Sequence, residues 1–173
     1  MTWLLTHSGK HLDLIDPQPT MIDILDIAKG LSREARFAGQ TRAFYSVAQH
    51  SVLTSQVVPK DFALEALLHD ASEAYIKDIP RPLKQLLPDY RQVEARVQGA
   101  IRARFGLPTE QSREVSTADV ILLATERRDL MPDDATDWPV LYGIKPMDKR
   151  VQAINPNHAE TLFLNRFLEV LQQ

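Results

Sequence analysis

The run Ala66-Leu67-Leu68-His69-Asp70-Ala71-Ser72-Glu73-Ala74-Tyr75 sets three ionisable side chains into an otherwise apolar stretch. Leu64, Leu67, Leu68 and Ala71 mark a buried helix, and burying His69, Asp70 and Glu73 together is costly unless something pairs them. His69 and Glu73 lie one turn apart on one face, with Asp70 beside them. Imidazole and carboxylate are both ligands for a divalent cation, which would offset that cost. An adjacent His-Asp pair also arises by chance, and many buried histidines are simply hydrogen bonded. Two further residues sharpen the pattern. His50 stands among Val47, Val52 and Leu53, and Asp119 precedes Val120-Ile121-Leu122-Leu123. Four polar residues set against three apolar helices could build one inward-facing nitrogen and oxygen site.

Helices must position these groups, and their signals are local. Ile24, Ile27, Ala28 and Leu31 recur at helical spacing after Asp23. Ser46-Val47-Ala48-Gln49 has the form of a capping box and opens a helix running to Val58, before Pro59. Asp61 caps a third helix expected over Phe62 to Lys77, bounded by Pro80 and Pro82. A fourth opens at Asp89 with Val93, Val97, Ile101 and Phe105 on one face, and Gly106 closes it. A fifth starts at Ser116 or Thr117 and stops at Met131-Pro132, which puts Asp119 in its first turn. Residues 132–154 carry no helical period and read as a long irregular segment, the kind that often forms a lid or binding loop. Asn155-Pro156 caps the last helix, whose Ala159, Phe163, Phe167 and Val170 face one way. Residues 1–20 begin with a short hairpin, Trp3–Thr6 and His11–Leu14, with Gly9 in the turn. The expected fold is all-α: one domain over residues 1–173, a bundle of about six helices with a small N-terminal hairpin.

Composition narrows the function classes. The 173 residues, 44% apolar and 25% charged, suit a globular domain, and the absence of cysteine excludes disulfides, thiolate zinc and a Cys nucleophile. A formal net charge of −3 is a poor match for long nucleic acid. No apolar run approaches the length of a bilayer span, and Met1–Leu5 lacks the features of a signal peptide, so a cytoplasmic location is expected.

The order His50, His69-Asp70, Asp119 resembles the HD-domain metal-dependent phosphohydrolases. The surroundings extend the likeness over roughly residues 23–131. His69-Asp70-Ala71-Ser72-Glu73 followed by Asp78-Ile79-Pro80-Arg81-Pro82-Leu83-Lys84 is similar to the 5′-deoxynucleotidase branch, as are Arg36-Phe37 and Tyr45-Ser46-Val47-Ala48-Gln49-His50-Ser51. The resemblance implies an HD-domain bundle in which His50, His69, Asp70 and Asp119 bind one divalent transition metal (Mn, Co, Ni, Zn or Fe). It gives Glu73 and Asp78 catalytic roles and makes Arg36 the phosphate-binding cation. Phe37 falls where that branch carries a Trp packed on the sugar, which leaves the choice between ribose and deoxyribose open. The implied reaction is metal-dependent release of phosphate from (deoxy)nucleoside 5′-monophosphates. Water attacks phosphorus in line, Glu73 orients it or takes its proton, and Glu73 or Asp78 protonates the leaving oxygen. The implied partners are a small nucleotide and, from the habits of the branch, a second copy of the chain.

Other readings compete. An HD site could act on nucleoside triphosphates or another small phosphoester, or serve a nucleotide-binding module without turnover. A cyclic dinucleotide phosphodiesterase would carry Gly-Tyr-Pro, and a guanosine tetraphosphate hydrolase would carry Asp after Glu73; neither is present. Glu126, on the same face as Asp119, reads either as support behind the ligands or as a solvated or ion-paired residue. Lys84 reads best as a surface lysine, and Thr41 and Arg42 stay open. Trp138 and Tyr142 read either as a cover for a base or, more ordinarily, as plugs for a core.

Overall fold

Helices α1 (Ile24–Arg33), α2 (Val47–Val57) and α8 (Pro156–Val170) form the centre of the bundle. Alpha-helices α3 (Ala63–Leu67), α4 (Glu73–Ile76), α5 (Arg81–Lys84), α6 (Pro88–Phe105) and α7 (Arg113–Leu130) complete it. The computed structural model describes residues 1–172, and among these the only sheet is an antiparallel pair, β1 (Trp3–Leu5) and β2 (His11–Asp13). Leu4 pairs with Leu12, and Gly9, at φ 83°, makes the turn. The fold is therefore all-α with a small N-terminal hairpin. Asp26 ties the hairpin to α1 by accepting from the Ser8 amide at 2.6 Å and the Ser8 hydroxyl at 2.8 Å.

Apolar spacing and caps account for most helix ends. The Asp23, Ser46, Ser112 and Asn155 side chains each accept a first-turn amide. Ile27, Ala28, Leu31, Val47, Ala48, Leu67, Val97, Ile101, Ala159 and Phe163 fill the main core, and Leu12 joins it from the hairpin. Where α1 meets α4 the backbones nearly touch: a Cβ on Gly30 would lie 2.5 Å from the Ala74 carbonyl oxygen. Glycine is required there by close approach.

Four expectations need correction. The capping box at Ser46 is half made, because Gln49 does not reach back to the cap. Its amide instead accepts from Ile154 N at 3.1 Å and donates to Gln152 O at 2.7 Å, fastening the chain ahead of α8. Helix α7 begins one turn earlier than the apolar period indicates, since Arg113, Glu114 and Ser116 are exposed and only Val115 is buried. Asp119 consequently sits in the second turn. Helix α6 begins at Pro88, with the one-turn α5 before it.

The largest correction concerns the third helix. It is split, with a 3-10 turn over Lys60–Phe62, then α3, a turn through residues 68–72, and α4. Leu68 leaves helical geometry at φ −108°, ψ 9°. An unbroken helix would bond the Ser72 amide to Leu68 O. Here the Gln98 side chain of α6 stands between them, accepting from Ser72 N at 3.1 Å and donating to Leu68 O at 2.9 Å. An inserted side chain of this kind is a recognised cause of helix breaks.

Residues 132–154 hold one 3-10 turn, Pro139–Leu141, and are tied down along their length. The Thr125 hydroxyl accepts from Met147 N, Arg128 donates to Met147 O, and Asp129 accepts from Val151 N at 2.8 Å. Arg127 donates to the carbonyls of Asp134 and Thr136.

Candidate metal centre

The break between α3 and α4 aims His69 and Asp70 at α2 and α7. His50 Nε2 lies 3.3 Å from His69 Nε2, 3.2 Å from Asp119 Oδ1 and 3.6 Å from Asp70 Oδ2. His69 Nε2 lies 3.2 Å from Asp70 Oδ2 and 3.9 Å from Asp119 Oδ1. All four residues named from the sequence are thus brought together.

The hydrogen bonds behind the rings fix which nitrogen faces inward. His69 Nδ1 is 2.8 Å from Ala66 O, an oxygen that can only accept, so Nδ1 carries the proton. His50 Nδ1 is 2.6 Å from Glu126 Oε1 and donates likewise. In the neutral rings both Nε2 lone pairs then converge with two carboxylates. Four acceptors meet, and the donor that reaches them is Arg36 Nη1, 3.4 Å from Asp70 Oδ2, since the nearby Thr54 hydroxyl donates to His50 O at 2.9 Å. Only cations reconcile such a cluster. The His50, His69 and Asp119 donor atoms all lie within 4.8 Å of one another. A first-row ion with bonds of ~2.0–2.2 Å spans donors roughly 3–3.6 Å apart, so the His50, His69 and Asp119 donors could hold a divalent metal, with Asp70 outside that group of three but 3.2 Å from His69 Nε2.

Without a metal the cluster balances charge by protons. Burial opposes the charged imidazoles, yet Asp70 and Asp119 hold His69 well above the usual histidine range. Burial would likewise raise Asp70, but its histidine neighbours pull it down to about 2.

Glu126 is fully buried and is the group behind the ligands. Besides His50 it accepts from Tyr45 Oη at 2.9 Å and Arg36 Nε at 3.2 Å. Burial would raise its carboxyl, but Arg36 and His50 hold it below its ordinary value. Glu126 is thus ion-paired with Arg36 and also stands behind His50, and Tyr45 is a partner that sequence reasoning missed. A tyrosine directly before the Ser46 cap was the available signal.

Arg36 bridges Glu126 and Asp70, with Nη1 3.4 Å from Asp70 Oδ2. Burial works against its charge, but Glu126, Asp70 and Asp119 secure it. Among the described residues Nη2 has no partner. Phe37 and Ala38 follow at φ 55° and 51°, left-handed backbone that costs about 1–2 kcal/mol per residue outside glycine. Arg36 N to Tyr45 O at 3.0 Å holds the start of this segment. The Phe37 ring centroid lies 6.5 Å from that of Trp138, and Arg127 stacks on Trp138 at 4.9 Å. Trp138 thus stands between Phe37 and Arg127, whereas Tyr142 is exposed and bonds Asp137.

Glu73 is buried, and its Oε2 has no hydrogen-bond partner among the described residues. Burial first, then the charges of Asp70 and Asp78, push its carboxyl well up. Asp78 is raised by burial as well, with Arg36 opposing. Its backbone amide is held by Glu34 at 3.2 Å, and Tyr90 Oη bonds the preceding Lys77 O at 2.7 Å. Lys84 belongs nearer the site than a surface reading placed it: Nζ is 2.6 Å from Glu94 and 3.9 Å from Glu73. The Thr41 hydroxyl serves a local turn, and exposed Arg42 pairs with Asp133.

Fold and site together define an all-helical protein with a buried histidine–carboxylate group able to hold a metal ion. The chain belongs to the family of the "uncharacterized protein YfdR" of Escherichia coli (strain K12), to which it is 51% identical over 170 residues, 96% of this chain and 94% of that protein. The "uncharacterized protein RCAP_rcc00048" of Rhodobacter capsulatus is 36% identical over 155 residues, 82% and 79% of the two chains. No protein-family model matches the sequence. Among the described residues no helix is long and apolar enough to cross a membrane.

Proposed function

We propose that this protein is an HD-domain metal-dependent phosphohydrolase that releases phosphate from (deoxy)nucleoside 5′-monophosphates. The observation that carries the reading is the convergence of His50, His69, Asp70 and Asp119 acceptor atoms beside a buried guanidinium and an unpartnered buried carboxylate. The order of these residues and the downstream Asp78-Ile79-Pro80-Arg81-Pro82-Leu83-Lys84 stretch support the same assignment.

His50, His69, Asp70 and Asp119 hold the cation, of which Mn, Co, Ni, Zn and Fe all suit the donors. A cation held there would supply Lewis acidity toward a phosphoryl oxygen and would lower the pKa of a water toward neutrality. Arg36 is braced by Glu126 and Asp70, so its free Nη2 edge can bind a phosphoryl oxygen without reorganising. Glu73 Oε2 orients the attacking water and takes its proton. Asp78, the second raised carboxyl, returns a proton to the leaving sugar oxygen. Phe37 and Trp138 offer apolar faces to the sugar and base.

The test is phosphate release from ribo- and deoxyribonucleoside mono- and triphosphates by metal-stripped protein resupplied with Mn²⁺, Co²⁺, Ni²⁺ or Zn²⁺. Release from monophosphates, lost in Asp70→Ala, is expected. Release from triphosphates alone would overturn the substrate, and nucleotide binding without release would overturn the enzyme reading.

A further inference from the structure

We infer that Gln98 is a positioning residue of the metal centre, its side-chain amide holding open the helix break that turns His69 and Asp70 into one site. The inference rests on the metal-binding part of the reading above. Adjacent residues of an unbroken helix point about 100° apart. His69 and Asp70 are adjacent, yet His69 Nε2 and Asp70 Oδ2 lie 3.2 Å apart, and both approach His50 Nε2. The backbone must leave the helix for this, and leaving it orphans polar groups in a buried place.

Gln98 is the partner of one of these, the Ser72 amide, and a second donor to another, Leu68 O, which also accepts from Ala71 N at 3.2 Å. It accepts from Ser72 N and donates to Leu68 O, occupying with one planar amide the gap of a missing helical bond. Ala66 O, which an unbroken helix would commit to the Asp70 amide, instead accepts the His69 Nδ1 proton. The break therefore sets both the direction and the tautomer of His69. Val97, Ala100 and Ile101 anchor α6 in the core on either side, which fixes the amide that props the break.

Removing the amide leaves either an unpaired Ser72 amide or a helix that closes and rotates the ligands apart. The measurement is Mn²⁺ and Co²⁺ affinity and the Co²⁺ visible spectrum, with the melting temperature of the metal-free protein, for the unaltered chain, Gln98→Leu and Gln98→Glu. Gln98→Leu is expected to bind about 10–100-fold more weakly, the scale for losing a group that orients ligands, with an altered Co²⁺ spectrum. Gln98→Glu keeps the acceptor for Ser72 N but cannot donate to Leu68 O when ionised, so its loss is smaller. Should Gln98→Leu fail to fold, Gln98→Glu decides. Unchanged affinity and spectrum, even with a lowered melting temperature, overturn the inference and leave Gln98 a stabilising residue only. An unaltered protein that binds no metal overturns both this inference and the metal site. One that binds metal without releasing phosphate overturns the hydrolase reading alone.

Discussion

Glu126 Oε1 accepts the His50 Nδ1 proton at 2.6 Å, and the same carboxylate takes the Tyr45 hydroxyl and Arg36 Nε. One buried side chain on α7 thereby fixes the tautomer of a ligand and the pose of the guanidinium. Glu126→Gln keeps the volume but adds an N–H that faces donors. It is expected to weaken metal binding about 10–100-fold, read by metal titration. Undiminished affinity would mean that His50 is oriented by packing alone.

Metal binding should also stabilise the fold, because the unfolded chain has no assembled donor set. At a metal concentration 100 times Kd the gain is about 2.7 kcal/mol. A rise in melting temperature with Mn²⁺ or Zn²⁺ is expected for the unaltered protein and not for Asp119→Ala.

Gly30→Ala tests the approach of α1 to α4. Its Cβ would meet Ala74 O at 2.5 Å, and overpacking of this kind costs about 1–3 kcal/mol. Glu73 opens α4, so turnover should fall more than metal affinity. Equal stability and turnover would show that the helices separate freely.

The four metal-ligand candidates were legible in the sequence because each is a polar residue in an apolar run, and helix starts at Asp23, Ser46 and Asn155 because caps act locally. The break after Leu67 was not. The apolar period from Leu64 to Ala71 passes straight through it, and the amide that holds it open comes from Gln98 on another helix. Glu126 was ambiguous for a related reason. Its spacing from Asp119 gives a face but not what the face meets, and Tyr45 and Arg36 reach it from a distant loop. Trp138 lies in a segment without periodicity, placed by Arg127 and by backbone bonds that no local pattern announces.

Trp138→Ala probes the aromatic wall. Stacking on a base is worth about 1–3 kcal/mol, so kcat/KM for nucleotides should fall about 5–150-fold. Hydrolysis of deoxyribose 5-phosphate, which has no base, should barely change. An equal fall for both would remove Trp138 from base recognition.

The Asp129 carboxyl, almost inaccessible at 2%, is held below its ordinary value by the Arg128 hydrogen bond, aided by Val151 N and opposed by burial. A depressed folded pKa contributes stability that is whole above the unfolded value of about 3.9 and is lost as pH falls through the folded value. Asp129→Asn should therefore be less stable than the unaltered protein at pH 7, with the gap narrowing below pH 4. Denaturant unfolding at both pH values reads it, and a gap constant with pH would contradict the assignment.

The His50–His69–Asp70–Asp119 cluster is proposed to drive phosphomonoester hydrolysis through one bound divalent ion. Phosphate release from a deoxynucleoside 5′-monophosphate, followed as Mn²⁺ is added to metal-stripped protein in measured equivalents, tests it most directly. Activity is expected to rise from nothing, saturate near one equivalent, and be absent from Asp119→Ala at every metal level. Turnover that ignores added metal, or metal bound tightly with no phosphate released, would contradict it.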